Sequence, residues 1–185
     1  MSVVNFAGLL AILGALGFIL GLAPINPLIQ HQNRIDPIAY ISNNKSRVRF
    51  SAIITILGIL LSSAAFPFWW ASLQSAETRA LNAVGGLLLG SGVIFWAIYS
   101  YLRVERAQEY PFFALTWQGA VSAISTITGL GIYGVLFINT AVANWLGYLF
   151  IGSSMVFIVC LVLQVLPPII YFIPISVAGV VFLIS

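Results

Sequence analysis

The feature that most constrains this chain is the length of its uncharged, apolar stretches. A helix needs about 20 apolar residues to cross roughly 30 Å of hydrocarbon, because each residue advances it by about 1.5 Å. The sequence therefore predicts an all-α integral membrane protein, a bundle of about six transmembrane helices forming a single transmembrane domain over residues 1–185. The predicted spans are residues 3–23, 50–70, 80–102, 112–138, 142–163 and 165–184.

Composition excludes the soluble classes of protein. Charged residues make up 6% of the chain and apolar residues 61%, whereas an ordinary soluble domain has roughly 25% charged residues. Seven Lys and Arg with four Asp and Glu cannot cover a soluble domain of 185 residues without leaving large apolar patches. The same composition excludes a disordered chain and a coiled coil.

The two terminal stretches need separate interpretation. The first is expected to stay in the mature chain, because it has no basic n-region, is too long for an h-region and is followed by a poor cleavage site at Ala23 and Pro24. The last contains Pro167, Pro168 and Pro174. Proline removes a backbone donor and kinks helices, so this stretch is expected to be a broken or partly re-entrant helix.

The distribution of Lys and Arg predicts the orientation. Six of the seven follow the first and third spans, which places loops 24–49 and 103–110 in the cytoplasm and both termini on the opposite side. Glu105 and Glu109 balance the cations of their own loop, so the net charge of +3 lies in the basic segment 24–49. Four tryptophans lie near predicted span ends, where interfacial aromatic residues are expected. These are Trp69, Trp70, Trp117 and Trp145.

Three cations alternate just before the second span: Lys45, Arg47 and Arg49. They are predicted to bind lipid headgroups by extending towards the membrane surface, and docking of a cytoplasmic partner is the alternative. The basic segment holds too few cations for the stripe that phosphate neutralisation along a nucleic acid requires. Membrane lipids are therefore expected partners, and nucleic acid is not.

Glycine pairs predict close helix contacts. Association between helices in lipid depends on close packing and hydrogen bonds, because lipid tails are as apolar as leucine. Packing within the chain is the expected role, and a contact face for another membrane subunit or a second copy is the alternative. The predicted packing residues are Gly17, Gly21, Gly86, Gly90, Gly147 and Gly152.

Two parts of the sequence resemble each other. Residues 85–95 align without gaps with residues 147–157, and residues 55–58 resemble residues 126–129. This similarity predicts a duplicated helical hairpin made of spans two and three and of spans four and five. Chance similarity between apolar, glycine-rich helices is an equal alternative.

A family resemblance covers residues 53–163. The run ILGILLSSAAFPF at residues 56–68, followed by a turn and by GGLLLGSG at residues 85–92, resembles the HdeD family. Members of that family are small six-span bacterial membrane proteins built from repeated hairpins and linked to acid stress. The resemblance implies no catalytic residues. This chain departs from the family in its additional N-terminal span, its long basic loop and its room for one span after Leu163.

Polar residues line one face of the fourth span. Gln118, Ser122 and Ser125 share that face, and Thr126 lies beside it. Hydroxyl groups in lipid can bond to the carbonyl one turn back, and interhelical hydrogen bonds contribute only about 0.6–2 kcal/mol each. Packing is therefore the expected role, and a polar pathway or a small-ligand pocket is the alternative.

Residues for catalysis and metal binding are scarce. All four carboxylates lie in loops or at span ends, which argues against proton- or sodium-coupled transport. His31 is the only histidine and Cys160 the only cysteine, which excludes two-histidine metal centres, disulfides and CxxC pairs. The chain also lacks a GxSxG elbow. We expect no enzymatic activity, no cofactor and no metal.

The leading hypothesis for function is a non-enzymatic multi-pass membrane protein that acts through helix packing, as an accessory, assembly or stress-related subunit. The alternative is a small transport component, either a channel or a substrate-binding membrane subunit, lined by the polar face of the fourth span. A third hypothesis is a lipid- or pigment-binding subunit that uses the 13 Phe, 5 Trp and 7 Tyr side chains as stacking surfaces.

Overall fold

A computed structural model describes residues 2–30, 35–71, 78–110, 116–139, 144–162 and 169–184. Nearly all of these residues are helical, which confirms the prediction of an all-α fold. The helices are α1 (Val3–Leu22), a 3-10 turn (Ala23–Ile25), α2 (Asn26–Gln30), α3 (Pro37–Asn43), α4 (Lys45–Ala71), α5 (Arg79–Glu105), α6 (Trp117–Ile138), α7 (Asn144–Val162) and α8 (Ile169–Ile184).

Five of the described helices, α1, α4, α5, α6 and α7, are long and apolar enough to cross a membrane. Helix α8 has 16 residues, which at 1.5 Å per residue gives about 24 Å, less than the roughly 30 Å of hydrocarbon. It continues through Pro174 without interruption. Pro167 and Pro168, on which the expectation of a broken helix also depended, lie outside the described residues.

The six longer helices form a closed ring. Each packs against two neighbours, in the order α1, α4, α5, α6, α7, α8 and back to α1. The ring closes where α1 meets α8. A Cβ atom built on Gly8 would lie 2.8 Å from the carbonyl oxygen of Gly179, so the two backbones are in close contact there. The paired contacts show that α1 and α4 run antiparallel, because Gly14 lies against Ser62 and Gly21 lies against Thr55.

An aromatic cluster fills the ring at one end. Phe66 of α4 lies at its centre, with ring centroids 5.3 Å from Tyr133 of α6 and 5.3 Å from Phe150 of α7. Phe137 and Phe182 complete the set around Phe66, at 6.3 and 6.5 Å. All five side chains are fully buried. Side chains from α4, α6, α7 and α8 therefore close this end of the ring.

The tryptophans divide into two groups. Trp117 and Trp145 are 64% and 50% exposed, but Trp69 and Trp70 are 4% and 5% exposed. Trp69 stacks on Phe182 with centroids 4.6 Å apart, and the Trp70 indole donates a hydrogen bond to the hydroxyl of Thr78. Trp69 and Trp70 lie at the end of α4, as the prediction of tryptophans near span ends requires, but they are buried against other side chains.

The segment predicted as the basic loop 24–49 is largely helical. Asp36 caps α3 by accepting a hydrogen bond from the Ile38 amide at 3.0 Å, and Pro37 takes the first helical position. The Tyr40 hydroxyl donates to the carbonyl oxygen of Pro24. These short helices pack on the end of the bundle through a small apolar cluster. The cluster consists of Leu28, Ile41, Val48 and Val104.

Candidate functional site

The same polar contact joins two pairs of helices. The hydroxyl of Ser122 on α6 donates to the carbonyl oxygen of Gly92 on α5 at 2.7 Å. The hydroxyl of Ser51 on α4 donates to the carbonyl oxygen of Gly21 on α1. In each case the acceptor lies 30 residues before the serine. Both hydroxyls are therefore used to hold neighbouring helices together.

The equivalence extends along both contacts. Thr55 packs against Gly21 in the first contact, and Thr126 packs against Gly92 in the second. One turn further on, each contact has a glycine close to a carbonyl oxygen of the neighbouring helix. A Cβ atom on Gly58 would lie 2.7 Å from the oxygen of Gly14, and one on Gly129 would lie 3.2 Å from the oxygen of Gly85. Helices α1 and α4 thus repeat the packing of α5 and α6.

This repeat differs from the predicted one, which paired α4 and α5 with α6 and α7. A tandem copy of those hairpins would require the aligned residues Gly85 and Gly147 to face different helices, α6 and α8. Both face α6 instead, Gly85 beside Tyr133 and Gly147 beside Ile138. The Ser, Thr and Gly spacing at residues 51–58 and 122–129 is the sequence signal that identifies the observed repeat.

The polar face of α6 lies mostly at a helix contact. Ser122 and Thr126 are buried against Gly92, whereas Ser125 is half-buried beside them. Gln118 is 4% exposed, and its side-chain carbonyl oxygen has no hydrogen-bond partner among the described residues. Ser122 and Thr126 therefore have a packing role in the structure. Gln118 differs from them, because its side-chain oxygen makes no hydrogen bond to a described residue.

The six predicted packing glycines fall into two groups. Gly17 and Gly21 lie against α4, Gly86 lies against Pro67 of α4, and Gly147 lies against α6. A Cβ atom on Gly90 or Gly152 would meet no atom within 4 Å. The close intramolecular contact expected at Gly90 and Gly152 is therefore absent from the described part of the chain, because both positions face away from their neighbouring helices. Other glycines lie at close helix contacts that the sequence did not predict. These are Gly14, Gly58, Gly129 and Gly134.

A basic cluster, consisting of Lys45, Arg49 and Glu105, links α4 to α5 at the other end of the bundle from the aromatic cluster. Lys45 Nζ lies 2.8 Å from one carboxylate oxygen of Glu105, and Arg49 Nε and Nη2 each lie 2.6 Å from the other. Glu105 therefore neutralises cations of α4, and not those of its own loop as the sequence analysis assumed. Arg47 is exposed on the same turns of α4.

Two further cations of this end, Arg103 and Arg106, have partners close by in the sequence. Arg106 lies 3.6 Å from Glu109, three residues along the chain. The guanidinium of Arg103 lies 4.2 Å from the centre of the Tyr99 ring, within cation–π distance. The predicted charge compensation of loop 103–110 is thus found for Arg106 and Glu109.

A cluster of metal-binding side chains is absent from the part of the chain that the structure describes. Within these residues no three His, Cys, Asp or Glu side chains come together. Cys160 is partly buried, and His31 lies outside the described residues. Some aromatic side chains stack on one another in the cluster around Phe66, whereas others, such as Tyr101 and Tyr148, are exposed on the outer surface.

Comparison with protein-family models, curated proteins and solved structures finds no match to this chain. The candidate site is therefore described by its own geometry. Its two parts are the polar helix contacts, which hold the ring together, and the basic cluster, which places unbalanced positive charge at one end of an apolar bundle.

Proposed function

We propose that this chain is an integral membrane protein whose long helices, together with α8, cross a lipid bilayer. Support comes from five apolar helices of sufficient length and from many large apolar side chains on the outer surface. Leu87 and Val162 are each 75% exposed, which is unfavourable in water and favourable in hydrocarbon. The basic cluster then marks the cytoplasmic end, following the positive-inside bias.

Within this proposal the protein is a non-enzymatic subunit that acts through helix packing, in an accessory, assembly or stress-related role. The observation that carries it is the surface around Gly90. This glycine faces open space between exposed Leu87 and Ile94 on the outside of α5. A small residue on a lipid-facing surface lets a second helix approach closely. We propose that another membrane helix, from a partner subunit or a second copy, packs there.

A comparison of two glycines on α5 tests this proposal. Gly90→Leu adds a side chain where the chain has open space, so the protein is expected to fold normally and to lose its partner. Gly92→Leu adds a side chain against Thr126 and is expected to destabilise the fold. The measurements are thermal stability in mild detergent and the set of proteins that co-purify. A Gly90→Leu variant that keeps every partner contradicts the packing role.

The resemblance of residues 53–163 to the HdeD family is the basis for proposing a stress-related role. The repeated contact of Ser51 with Gly21 and of Ser122 with Gly92 includes α1, which lies outside this resemblance, so the stress-related role rests on the sequence resemblance alone. Growth of a deletion strain after acid exposure, with and without the restored gene, tests this part of the proposal. Equal survival of both strains contradicts it.

A small transport component is the second candidate, and Gln118 is the observation that favours it. Its side-chain carbonyl oxygen is buried in the first turn of α6 and has no hydrogen-bond partner among the residues that the structure describes. A polar ligand would satisfy it. The filled ring around Phe66 weighs against a continuous aqueous path. Gln118→Leu combined with Ser122→Ala is expected to change flux in liposomes if the transport function is correct. Unchanged flux at equal abundance contradicts it.

A further inference from the structure

A groove runs along the outer surface between α4 and α5 next to the basic cluster. Its volume is about 320 Å³, at the lower end of the roughly 300–1,000 Å³ typical of small-molecule sites. Arg49 and Glu105 line one end, and the apolar side chains of Ile53, Ile56 and Tyr101 line the rest. The groove is therefore polar at one end and apolar along its length.

The apolar side chains that line the groove are exposed on the outer surface of the bundle. Ile53 is 56% exposed and Tyr101 is 63% exposed. Arg49, Ile53 and Ile56 lie on one face of α4, and the seven steps from Arg49 to Ile56 cover about 10 Å along the helix axis. A ligand that fits has one charged end and an extended apolar part that lies between the two helices.

The positive charge at the polar end of the groove favours a negatively charged ligand. Lys45 and Arg49 share one carboxylate, that of Glu105, so one positive charge is unbalanced. Arg49 uses Nε and Nη2 for this ion pair, and a guanidinium has five N–H donors, so its Nη1 group has donors for a second anion. The side chains of Lys45 and Arg49 are 44% and 54% exposed, which leaves them accessible.

We propose that this groove binds one anionic phospholipid. Its phosphate contacts Arg49 and Lys45, and one acyl chain lies along Ile53, Ile56 and Tyr101. A phosphate diester carries one negative charge and balances the basic cluster, and Arg pairs well with phosphate oxygens. This inference rests on the proposed membrane location, because the bilayer supplies the ligand.

The test measures lipid binding by native mass spectrometry of the full chain in mild detergent, titrated with phosphatidylglycerol or with phosphatidylcholine. The unmodified protein is expected to prefer phosphatidylglycerol. Arg49→Gln is expected to weaken phosphatidylglycerol binding about fivefold, the effect of removing one cation near an anionic lipid. Arg106→Gln, which removes a cation paired with Glu109 at the same end, is the matched control and is expected to change nothing.

A second variant separates lipid binding from a structural ion pair. Glu105→Gln removes the carboxylate that competes with the phosphate, so it is expected to strengthen phosphatidylglycerol binding. If the ion pair only holds α4 against α5, Glu105→Gln and Arg49→Gln change lipid binding in the same direction, which overturns the proposal.

A third variant tests the apolar part. Ile53→Trp fills the groove and is expected to weaken binding of the lipid. Val156→Trp, at a position that is 48% exposed on α7 and away from the groove, is the control. Equal binding by both variants overturns the proposal.

Extraction of the chain from membranes tests the membrane location separately from the lipid site. A chain that is soluble without detergent overturns the membrane location as well, whereas a membrane-embedded chain with no preference for phosphatidylglycerol overturns the lipid site alone.

Discussion

Ser122 and Gly92 are joined by a 2.7 Å hydrogen bond from the serine hydroxyl to the glycine carbonyl oxygen, and Thr126 packs over the same glycine. The missing side chain of Gly92 is what allows the backbones of α5 and α6 to approach this closely. Ser51 repeats the bond to Gly21 on another pair of helices. Since the two contacts are equivalent, matched substitutions in them are expected to have matched effects.

Removal of either serine hydroxyl is expected to lower stability by about 0.6–2 kcal/mol, the usual contribution of a hydrogen bond between membrane helices. The free energies of unfolding of the Ser122→Ala and Ser51→Ala variants are measured by reversible unfolding in mixed micelles. Thr128→Ala is the control, because the Thr128 hydroxyl is exposed and donates within its own helix, to Ile124. If Thr128→Ala lowers the free energy of unfolding by the same amount, the hydrogen bonds between helices contribute no more than a bond within one helix.

Gly58→Ala is expected to destabilise the bundle by about 1–3 kcal/mol, the usual cost of overpacking a close contact. Its Cβ atom would lie 2.7 Å from the carbonyl oxygen of Gly14, and backbone atoms cannot move aside cheaply. Gly152→Ala adds the same methyl group where no atom lies within 4 Å. Because alanine favours helix more than glycine does, Gly152→Ala is expected to cost nothing. Melting temperatures in one detergent compare the two.

Phe66→Ala is expected to cost about 3 kcal/mol. This is the lower end of the range for deleting a buried phenylalanine, because transfer of the ring from lipid contributes little and the cavity contributes most. Phe50→Ala removes the same ring from a position that is 59% exposed on the same helix. Equilibrium unfolding of both variants checks the prediction, and similar losses would mean that the aromatic cluster is not the centre of the packing.

Tyr133→Phe removes the hydroxyl that donates to the side-chain oxygen of Asn82 at 2.8 Å. The expected loss is about 1 kcal/mol, typical of one hydrogen bond. A double-mutant cycle with Asn82→Ala measures the pairwise contribution, which is expected to account for most of that loss. Tyr148→Phe, at a position 65% exposed on α7, is the control. Additive effects of Tyr133→Phe and Asn82→Ala would show that the pair does not interact.

The helices themselves were largely predictable, because long apolar runs have few other stable forms. The predicted spans at residues 3–23 and 80–102 lie close to α1 (Val3–Leu22) and α5 (Arg79–Glu105). The start of α4 at Lys45 was missed, since its first turns are charged and resemble a loop. Helices α2 and α3 were missed for a related reason. They are too short for a periodic pattern and are held by contacts such as that of Tyr40 with Pro24.

The partners of the site residues were harder to predict than the site residues themselves. Helical periodicity placed Ser122 and Thr126 together, but nothing in their spacing identified Gly92 as the acceptor. Glu105 was assigned to nearby cations because local pairs are the simplest assumption. Its actual partner Arg49 lies 56 residues away and is brought close by antiparallel packing. Pairs that are far apart in the sequence cannot be predicted until the order of the helices around the ring is known.

The contact between Gly8 and Gly179 joins the first and last of the long helices that the structure describes. During translation α1 is complete long before α8 exists, so one flank of α1 has to remain unmatched while the intervening helices are made. Helix α8 therefore supplies the contacts that close the ring, among them the stacking of Phe172 on Phe18. A chain that stops before α8 would leave uncovered the side of α1 that contacts Gly179 in the closed ring.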